Sequence, residues 1–502
     1  MTSASAGARD GCAIGFALTR ALFFHSLPAY QGKQISGGNV LLKADYLIIG
    51  AGALGMAFAD EMLTVSDASL IIVDRHHMPG GHWNDAYPFV RLHQPSAYYG
   101  AGSRVLGSNS VDVSGHNAGC YELASGHEVI TYFDSLMRER FLPSGRVQYF
   151  PMSEVREDGQ IVSLISGETQ PVRARKKTVD ATYFKTAVPS THKPRYEVAD
   201  GVDLVTPNDL PRAAAHHGAF TVIGGGKTGM DVVGWLLEHG ADPDTIRWIV
   251  SRDSWIINRE MTQPGNATDL RFMTGRAHQL EAIASAKTQD QVFYALERTG
   301  QLLRLDPAVR PSMYHAATIS LGELTALQTV KHVVRQGRVQ RIEPDRIFLD
   351  RGDGTVQPGE LFIDCTASAL GNVDVVPVFR QDRITIQMVR AALFCISAAA
   401  IAFVEATHES LEDANRLCTP IATPDADTDW MRLMLADMQV QRRWSADRNM
   451  RQWASQHRLT GANLRTPGSA GPDADLTAIR SRIRQFAEPA ERNLHALLAV
   501  SP

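Results

Sequence analysis

The fold is decided by residues 45–83, DYLIIGAGALGMAFADEMLTVSDASLIIVDRHHMPGGHW. Tyr46–Ile49 is an apolar run of strand length, and it leads directly into a glycine-rich turn that begins at Gly50. Met56–Leu63 then carries apolar residues at helical spacing. The order strand, tight turn, helix predicts the first βαβ unit of a dinucleotide-binding domain.

Each glycine of this turn has a separate physical role. Gly50 permits the sharp bend, Gly52 lets the backbone approach a phosphate, and Gly55 lets the helix approach the strand. The free amides at the start of the following helix, together with the helix dipole, favour a bound pyrophosphate. We therefore assign these glycines to a cofactor site.

The second strand of the unit supports the same interpretation. Leu70–Val73 ends in Asp74, 24 residues after Gly50. An acidic side chain there accepts hydrogen bonds from an unphosphorylated ribose, so we place Asp74 and the adjacent Arg75 in the cofactor site. The alternative is a glycine-rich turn in an ordinary α/β protein.

A second glycine segment, Gly80-Gly81-His82-Trp83, follows, and after it come Asn84, Tyr87-Pro88 and Arg91. By itself it is equally well explained as a turn with a core aromatic residue. Beside the first fingerprint, this order resembles the FAD-binding half of class B flavin monooxygenases, over about the first fifth of the chain. The resemblance implies that Gly81, His82 and Trp83 lie beside the flavin.

A second fingerprint starts about 170 residues later. Phe220–Ile223 precedes GGGKTG, a helical pattern follows, and Ile246–Val250 is the next strand. It ends in Ser251-Arg252, and a cation at this place favours a ribose that carries a 2′-phosphate. The alternative is that Arg252 is a plain surface residue. The residues predicted to bind NADPH are Gly224, Gly226, Lys227, Thr228, Gly229, Ser251 and Arg252.

Two fingerprints with opposite charge preference predict an α/β protein with two Rossmann-like domains, the NADPH domain inserted in the FAD domain, and a C-terminal helical region. We expect Asp364–Ala367 to resemble the small-residue turn that closes the flavin domain in this family; a simple buried strand and turn is equally consistent. The predicted segments are an N-terminal extension (1–42), the first segment of the FAD domain (43–200), the NADPH domain (201–345), the second segment of the FAD domain (346–420) and the helical region (421–502).

Composition excludes several classes of function. A net charge of −4 gives no reason to expect nucleic acid or an anionic membrane as partner. The five cysteines contain no CxxC pair, which excludes a dithiol reductase and fits a reduced, cytoplasmic compartment. The longest apolar run, 391–404, is too short to span a bilayer. Six histidines between His76 and His127 match no metal-ligand spacing, and the segment before Lys43 does not read as a signal peptide.

The resemblance implies an FAD-dependent, NADPH-using oxidoreductase, a monooxygenase that oxygenates a small organic substrate through a flavin C4a-hydroperoxide. Arg91 and Asn84 are the catalytic candidates that would steady the peroxide, although Arg91 is equally plausible as a structural salt-bridge partner. The partners would be the substrate and molecular oxygen, with a homo-oligomer possible.

Three alternatives stay open. The family signature FxGxxxHxxxY is altered here: Phe184, His192 and Tyr196 are present, but the glycine is missing and the first gap is two residues too long. This favours an NADPH-dependent flavin reductase or dehydrogenase. An FAD-dependent oxidase or cyclase that uses the second fold as a scaffold is another alternative, and a non-enzymatic dinucleotide sensor is a third.

Overall fold

The computed structural model describes residues 40–265, 269–368, 371, 373–464 and 473–499. The predicted N-terminal extension therefore lies outside the described residues, except for its last three. Two large sheets, the first mixed and the second parallel, organise the described chain, and each has a glycine turn at the carboxyl end of a central strand.

The first sheet contains the stretch that opens the chain. Its strand order is β3-β2-β1-β6-β5-β4, parallel from β3 to β6 and antiparallel from β6 to β4. Register aligns Ile49 with Val73 on one side and with Asp180 on the other. The elements, in chain order, are β1 (Leu42–Ile49), α1 (Ala53–Val65), β2 (Leu70–Val73), α2 (Gly126–Leu136), β3 (Val147–Phe150), β4 (Ser153–Val155), β5 (Gln160–Ser163) and β6 (Thr169–Asp180).

The second sheet is parallel throughout, in the order β14-β10-β9-β18-β8. Two small sheets, β12-β11-β13 and β17-β16-β15-β7, flank it. The strands are β7 (Glu197–Val198), β8 (Leu204–Val205), β9 (Ala219–Ile223), β10 (Ile246–Ile249), β11 (Ile256–Asn258), β12 (Leu302–Leu303), β13 (Thr318–Ile319), β14 (Val333–Val334), β15 (Val339–Ile342), β16 (Arg346–Leu349), β17 (Gly352–Thr355) and β18 (Glu360–Asp364). The helices are α3 (Leu210–Ala213), α4 (Lys227–Glu238), α5 (Leu270–Ser285), α6 (Gln289–Arg298) and α7 (Leu321–Leu327).

The chain then returns to the first sheet, where β19 (Arg383–Thr385) pairs in parallel with β6. Helix α8 (Phe394–Thr407) packs along α1, and buried residues of both helices belong to the same apolar core. The remaining helices are α9 (Leu411–Leu417), α10 (Asp429–Ala446), α11 (Arg448–Gln456) and α12 (Asp473–Ala499). Among the described residues, no helix has both the length and the apolar character needed to cross a bilayer.

The predicted α/β class, the two Rossmann-like sheets and the C-terminal helices are confirmed. One local expectation was wrong: β18, which precedes the turn compared with the closing turn of the flavin domain, pairs with β9 in the second sheet.

The two central strands repeat one tight local geometry. Gly50 and Gly224 both have positive φ, +101° and +130°. A Cβ atom on Gly55 would stand 2.0 Å from the carbonyl oxygen of Gly50, and one on Gly229 would stand 2.0 Å from that of Gly224. No side chain fits at such distances, so the helix packs against its strand only because glycine is present.

We expect Gly229→Ala to destabilise the protein by about 1–3 kcal/mol, because the added methyl group must push α4 away from the turn. Gly234→Ala is the matched control in the same helix, where a Cβ would meet nothing within 4 Å. It should stabilise by about 0.5–1 kcal/mol through helix propensity. Thermal unfolding of both variants checks this, and an equal melting temperature for the two would contradict the packing argument.

Candidate functional site

The first glycine turn faces the start of α1. Gly52 is the N-cap residue of this helix, so the first-turn amides point out of its end without intrahelical partners. The Gly50 amide donates to Val73 (2.8 Å), and the Ala51 amide donates to Asp74 Oδ2 (2.5 Å). The ribose-reading carboxylate predicted at Asp74 thus lies directly beside the turn.

The second glycine segment packs on the first, backbone against backbone. The Gly80 amide donates to the carbonyl of Ala51 at 2.9 Å. Gly81 has φ +58°, and a Cβ on it would stand 2.8 Å from Cα of Gly52. We call residues 50–55 together with 80–84 the first cradle; its walls are mostly main chain, as close approach of an anionic group requires.

Asp74 is one of three titratable side chains that are hydrogen-bonded in series. His76 Nδ1 lies 2.8 Å from Asp74 Oδ1, and His76 Nε2 lies 2.8 Å from Asp85 Oδ2. The hydrogen bonds to Asp74 and Asp85 raise the pKa of His76 despite its partial burial. The two carboxylates beside the cradle therefore favour the protonated form of His76.

The other predicted flavin-side residues line the same cradle. Trp83 is buried and donates from Nε1 to the hydroxyl of Tyr99 at 2.7 Å, and His82 stacks on its ring. Burial lowers the pKa of His82 to about 4, so this ring is neutral at physiological pH. Asn84 donates to the carbonyls of Met78 and Gly81, while its Oδ1 is buried without a hydrogen-bond partner in the described structure.

Two predicted residues lie on the surface. Arg75 is exposed. Arg91 is also exposed, and its guanidinium donates to the carbonyl of Leu123 at 2.9 Å. Arg91 therefore contacts a main-chain carbonyl oxygen. The structural role predicted for it as an alternative to catalysis was that of a salt-bridge partner.

The second glycine turn is the more open of the two. A Cβ on Gly226, the N-cap residue of α4, would meet nothing within 4 Å. Lys227 begins the helix, and its ammonium is paired with Asp231 and lies 3.9 Å from Glu323. Thr228 and Ser251 are half-buried next to the turn.

The sequence did not predict a polar network that joins the part of the chain around the first sheet to the part around the second sheet. We call these parts the first and the second unit. The hydroxyl of Tyr87 donates to Asp231 Oδ2 at 2.7 Å, so the segment after the first cradle is bonded to α4. Arg259, which is almost fully buried, donates to Glu323 (2.5 Å) and to the main-chain oxygen of His93 (3.0 Å). The sequence signal for this network was limited to the position of Tyr87 and His93 after the GGHW segment.

His93 is a titratable residue of this network whose pKa is displaced by its surroundings. Burial, with the charges of Lys227 and Arg259, lowers the pKa of its ring to about 3. Its Nδ1 atom is buried without a hydrogen-bond partner in the described structure. A neutral imidazole with one free ring nitrogen therefore lies where the two units meet.

Arg252, the predicted 2′-phosphate ligand, lies three residues past β10. Its guanidinium bonds Asp425 with both terminal nitrogens, at 2.7 and 3.1 Å. His315 Nε2 lies 2.8 Å from the same carboxylate. Neither Asp425 nor His315 carried a sequence signal, because both come from irregular segments distant in the chain.

The altered signature segment has mainly structural contacts. Phe184 is buried against Phe394, with the ring centroids 5.4 Å apart. His192 Nε2 lies 3.1 Å from the hydroxyl of Thr366, just after β18. The segment thus connects the first sheet to the carboxyl end of strand β18 in the second sheet.

Two surface clefts of about 190 and 430 Å³ lie on the second unit. The residues that line them include no glycine of either turn, so these clefts do not mark the dinucleotide sites. In the described part of the chain, no three histidine, cysteine or acidic side chains converge as a metal site would require.

Comparison with known proteins gives relatives and a fold. No protein-family model matches the chain. It is 48% identical over 427 residues to "Uncharacterized protein Rv2000" of Mycobacterium tuberculosis and to "Uncharacterized protein Mb2023" of Mycobacterium bovis, covering 85% of this chain and 79% of each relative. The solved polycyclic ketone monooxygenase of the fungus Thermothelomyces thermophila has a TM-score of 0.50 at 11% identity, over 90% of this chain and 89% of that chain. The chain thus has the fold of a two-domain class B flavin monooxygenase.

The contacts of His76 predict a pH-dependent stability. Because its pKa is raised in the folded protein, its contribution is fully present below the unfolded pKa of about 6.5 and is lost as pH rises through the folded pKa. The difference in melting temperature between the wild type and His76→Asn should therefore decrease from pH 6 to pH 9. His77→Asn, at the neighbouring histidine, is the control; a margin that does not change with pH would show that His76 is not linked to folding.

Proposed function

The chain belongs to the same family as Rv2000 of Mycobacterium tuberculosis, and we propose that it is an FAD-dependent, NADPH-using oxidoreductase that oxygenates a small organic substrate. The observation that carries the proposal is the pair of matching glycine turns with side chains of opposite charge after the second strand, Asp74 in the first unit and Arg252 in the second. The shared fold of a flavin monooxygenase supports it.

The residues of the first cradle fit FAD. The amides at the start of α1 would hold the pyrophosphate. Asp74 already accepts from the Ala51 amide and twice from His76, which leaves its Oδ2 able to accept from one ribose hydroxyl. The unpaired Oδ1 of Asn84 is a buried acceptor that an N–H or O–H group of the cofactor would satisfy. Gly52 and Gly81 keep side chains out of the space between these groups.

The second turn fits NADPH. Gly226 leaves open space at the start of α4, where a pyrophosphate would bind. Arg252 would hold the 2′-phosphate through the planar, bidentate geometry that a guanidinium provides. Lys227 adds positive charge beside the turn, although Asp231 now holds its ammonium.

Bound together, the two cofactors would supply hydride transfer and, from the reduced flavin, activation of oxygen. The chain's own residues would orient the rings and exclude water: Trp83 of the cradle is buried and fixed by its hydrogen bond to the buried Tyr99. Asn84 and Arg91 remain our proposed catalytic residues. Asn84 is positioned inside the cradle, whereas Arg91 would act from the exposed side with the N–H groups that Leu123 leaves free.

The main alternative is a flavin reductase or dehydrogenase that does not insert oxygen. One observation favours it: His192 of the altered signature is bonded to Thr366 and belongs to the connection between the units. The oxidase or cyclase and the dinucleotide sensor would not need the second turn to deliver hydride.

One experiment separates these functions. We expect the purified protein to be yellow and its flavin absorbance to bleach with NADPH. A transient absorbing species in air, followed by oxygenated product, indicates the monooxygenase; bleaching without either indicates the reductase. A yellow protein that does not bleach would refute NADPH use and leave the oxidase or cyclase.

Flavin content tests the first cradle. Gly52→Ala should fold normally, because its Cβ would be in ordinary contact at 3.5 Å with Gly81. It should nevertheless bind FAD more weakly, and Gly52→Val should be colourless, because the side chain fills the place of the pyrophosphate. Gly218→Val, at a glycine with open space around it, is the control. Full flavin content in Gly52→Val would place the cofactor elsewhere.

Steady-state kinetics test the second site. Arg252→Ala should raise the KM for NADPH by a factor that corresponds to about 1–3 kcal/mol, the worth of a charge-assisted phosphate contact, and should leave NADH nearly unaffected. Arg416→Ala removes another arginine that is paired with an aspartate at the surface and serves as the control. An equal effect on both coenzymes would refute the assignment of Arg252.

A further inference from the structure

Arg252 and His315 together hold one anion, the carboxylate of Asp425. Arg252 follows β10, His315 precedes β13, and Asp425 lies in the segment before α10, so three distant regions of the chain meet. Both guanidinium bonds and the imidazole contact are between 2.7 and 3.1 Å. A guanidinium and an imidazole around a single acceptor group form an arrangement that can also bind phosphate.

The backbone around Asp425 is fixed, while its carboxylate is accessible. The Asp425 carbonyl accepts from the Tyr314 amide (3.0 Å), and the Asp425 amide donates to Asp429 (3.0 Å). The Asp425 side chain is nevertheless 60% exposed. A change of rotamer would therefore release Arg252 and His315 without moving the segment.

We propose that Arg252 and His315 form the 2′-phosphate subsite and that Asp425 occupies this subsite until NADPH displaces it. The inference rests on the proposed use of NADPH at the second turn. A phosphate carries more charge and more acceptor oxygens than a carboxylate, so it can replace Asp425 on both Arg252 and His315. The hydroxyl of NADH cannot, and NADH would bind with the Asp425 contacts intact.

Asp425 would then determine coenzyme specificity. It is a permanent anion, since the Arg252 hydrogen bond, with that of His315, lowers its pKa to about 2. NADPH must give up some of its binding energy to displace this anion, whereas NADH gives up none. If the salt bridge had a purely structural role, its removal would instead lower the stability of the fold and change the affinity for both coenzymes equally.

The test is calorimetric titration of the flavin-loaded protein with NADP⁺ and NAD⁺. Asp425→Asn and Asp425→Ala should bind NADP⁺ at least threefold more tightly than the wild type, with the NAD⁺ affinity unchanged. His315→Gln should bind NADP⁺ at least threefold more weakly, again without effect on NAD⁺. Asp413→Asn removes one charge from an arginine pair of similar exposure and controls for net charge.

The outcomes separate the two levels of the proposal. If both dinucleotides bind but the Asp425 variants show no gain for NADP⁺, or an equal change for NAD⁺, this inference is wrong and the proposed function stands. A lower melting temperature with unchanged affinities identifies Asp425 as a structural residue. If no variant and no wild-type protein binds either dinucleotide, the proposed function fails and the inference fails with it.

Discussion

The structure depends on two places where a helix approaches a strand too closely for any side chain. At Gly55 and at Gly229 a single added carbon would stand 2.0 Å from a carbonyl oxygen of the preceding turn. This steric limit directs the amino end of each helix at its own turn, and it brings the residue after the second strand to the same edge. The positions of Asp74 and of Arg252 follow from it, and so does the proposed pairing of an FAD site with an NADPH site.

Helix α1, which begins at the first cradle, is also fixed by hydrogen bonds to distant parts of the chain. Helix α1 carries two buried carboxylates: Asp60 accepts from Ser103 and Arg140, and Glu61 accepts from Trp453 and His457. Buried charges cost free energy unless they are paired, so each carboxylate requires its partners to be in place. Helix α1 is thereby connected to the loop after the cradle and to the C-terminal helices, which explains why distant regions of the chain are needed to fix a local turn.

Local sequence patterns predicted the fold, but they did not predict which strands pair or which distant side chains meet. Glycine spacing is a local constraint, so both turns were found from the sequence. Strand β18 shows the opposite case. Asp180 accepts from the amide and hydroxyl of Thr182, and Asp364 accepts from Thr366 in the same way. Because both strands end in the same local chemistry, local sequence provides no means to tell which sheet each one joins. The contacts of Arg252 with Asp425 and His315 were missed for the same reason.

The network between the units explains how two separately built turns are held in one orientation. The segment after the first cradle reaches α4 twice, through the hydroxyl of Tyr87 on Asp231 and through the ring of Phe89, whose centroid is 5.4 Å from that of Trp235. A hydrogen bond is directional, so it restricts the relative orientation of two surfaces more than apolar contact does. Asp231 also holds Lys227, so Tyr87, Asp231 and Lys227 form one polar chain between the segment after the first cradle and the start of α4.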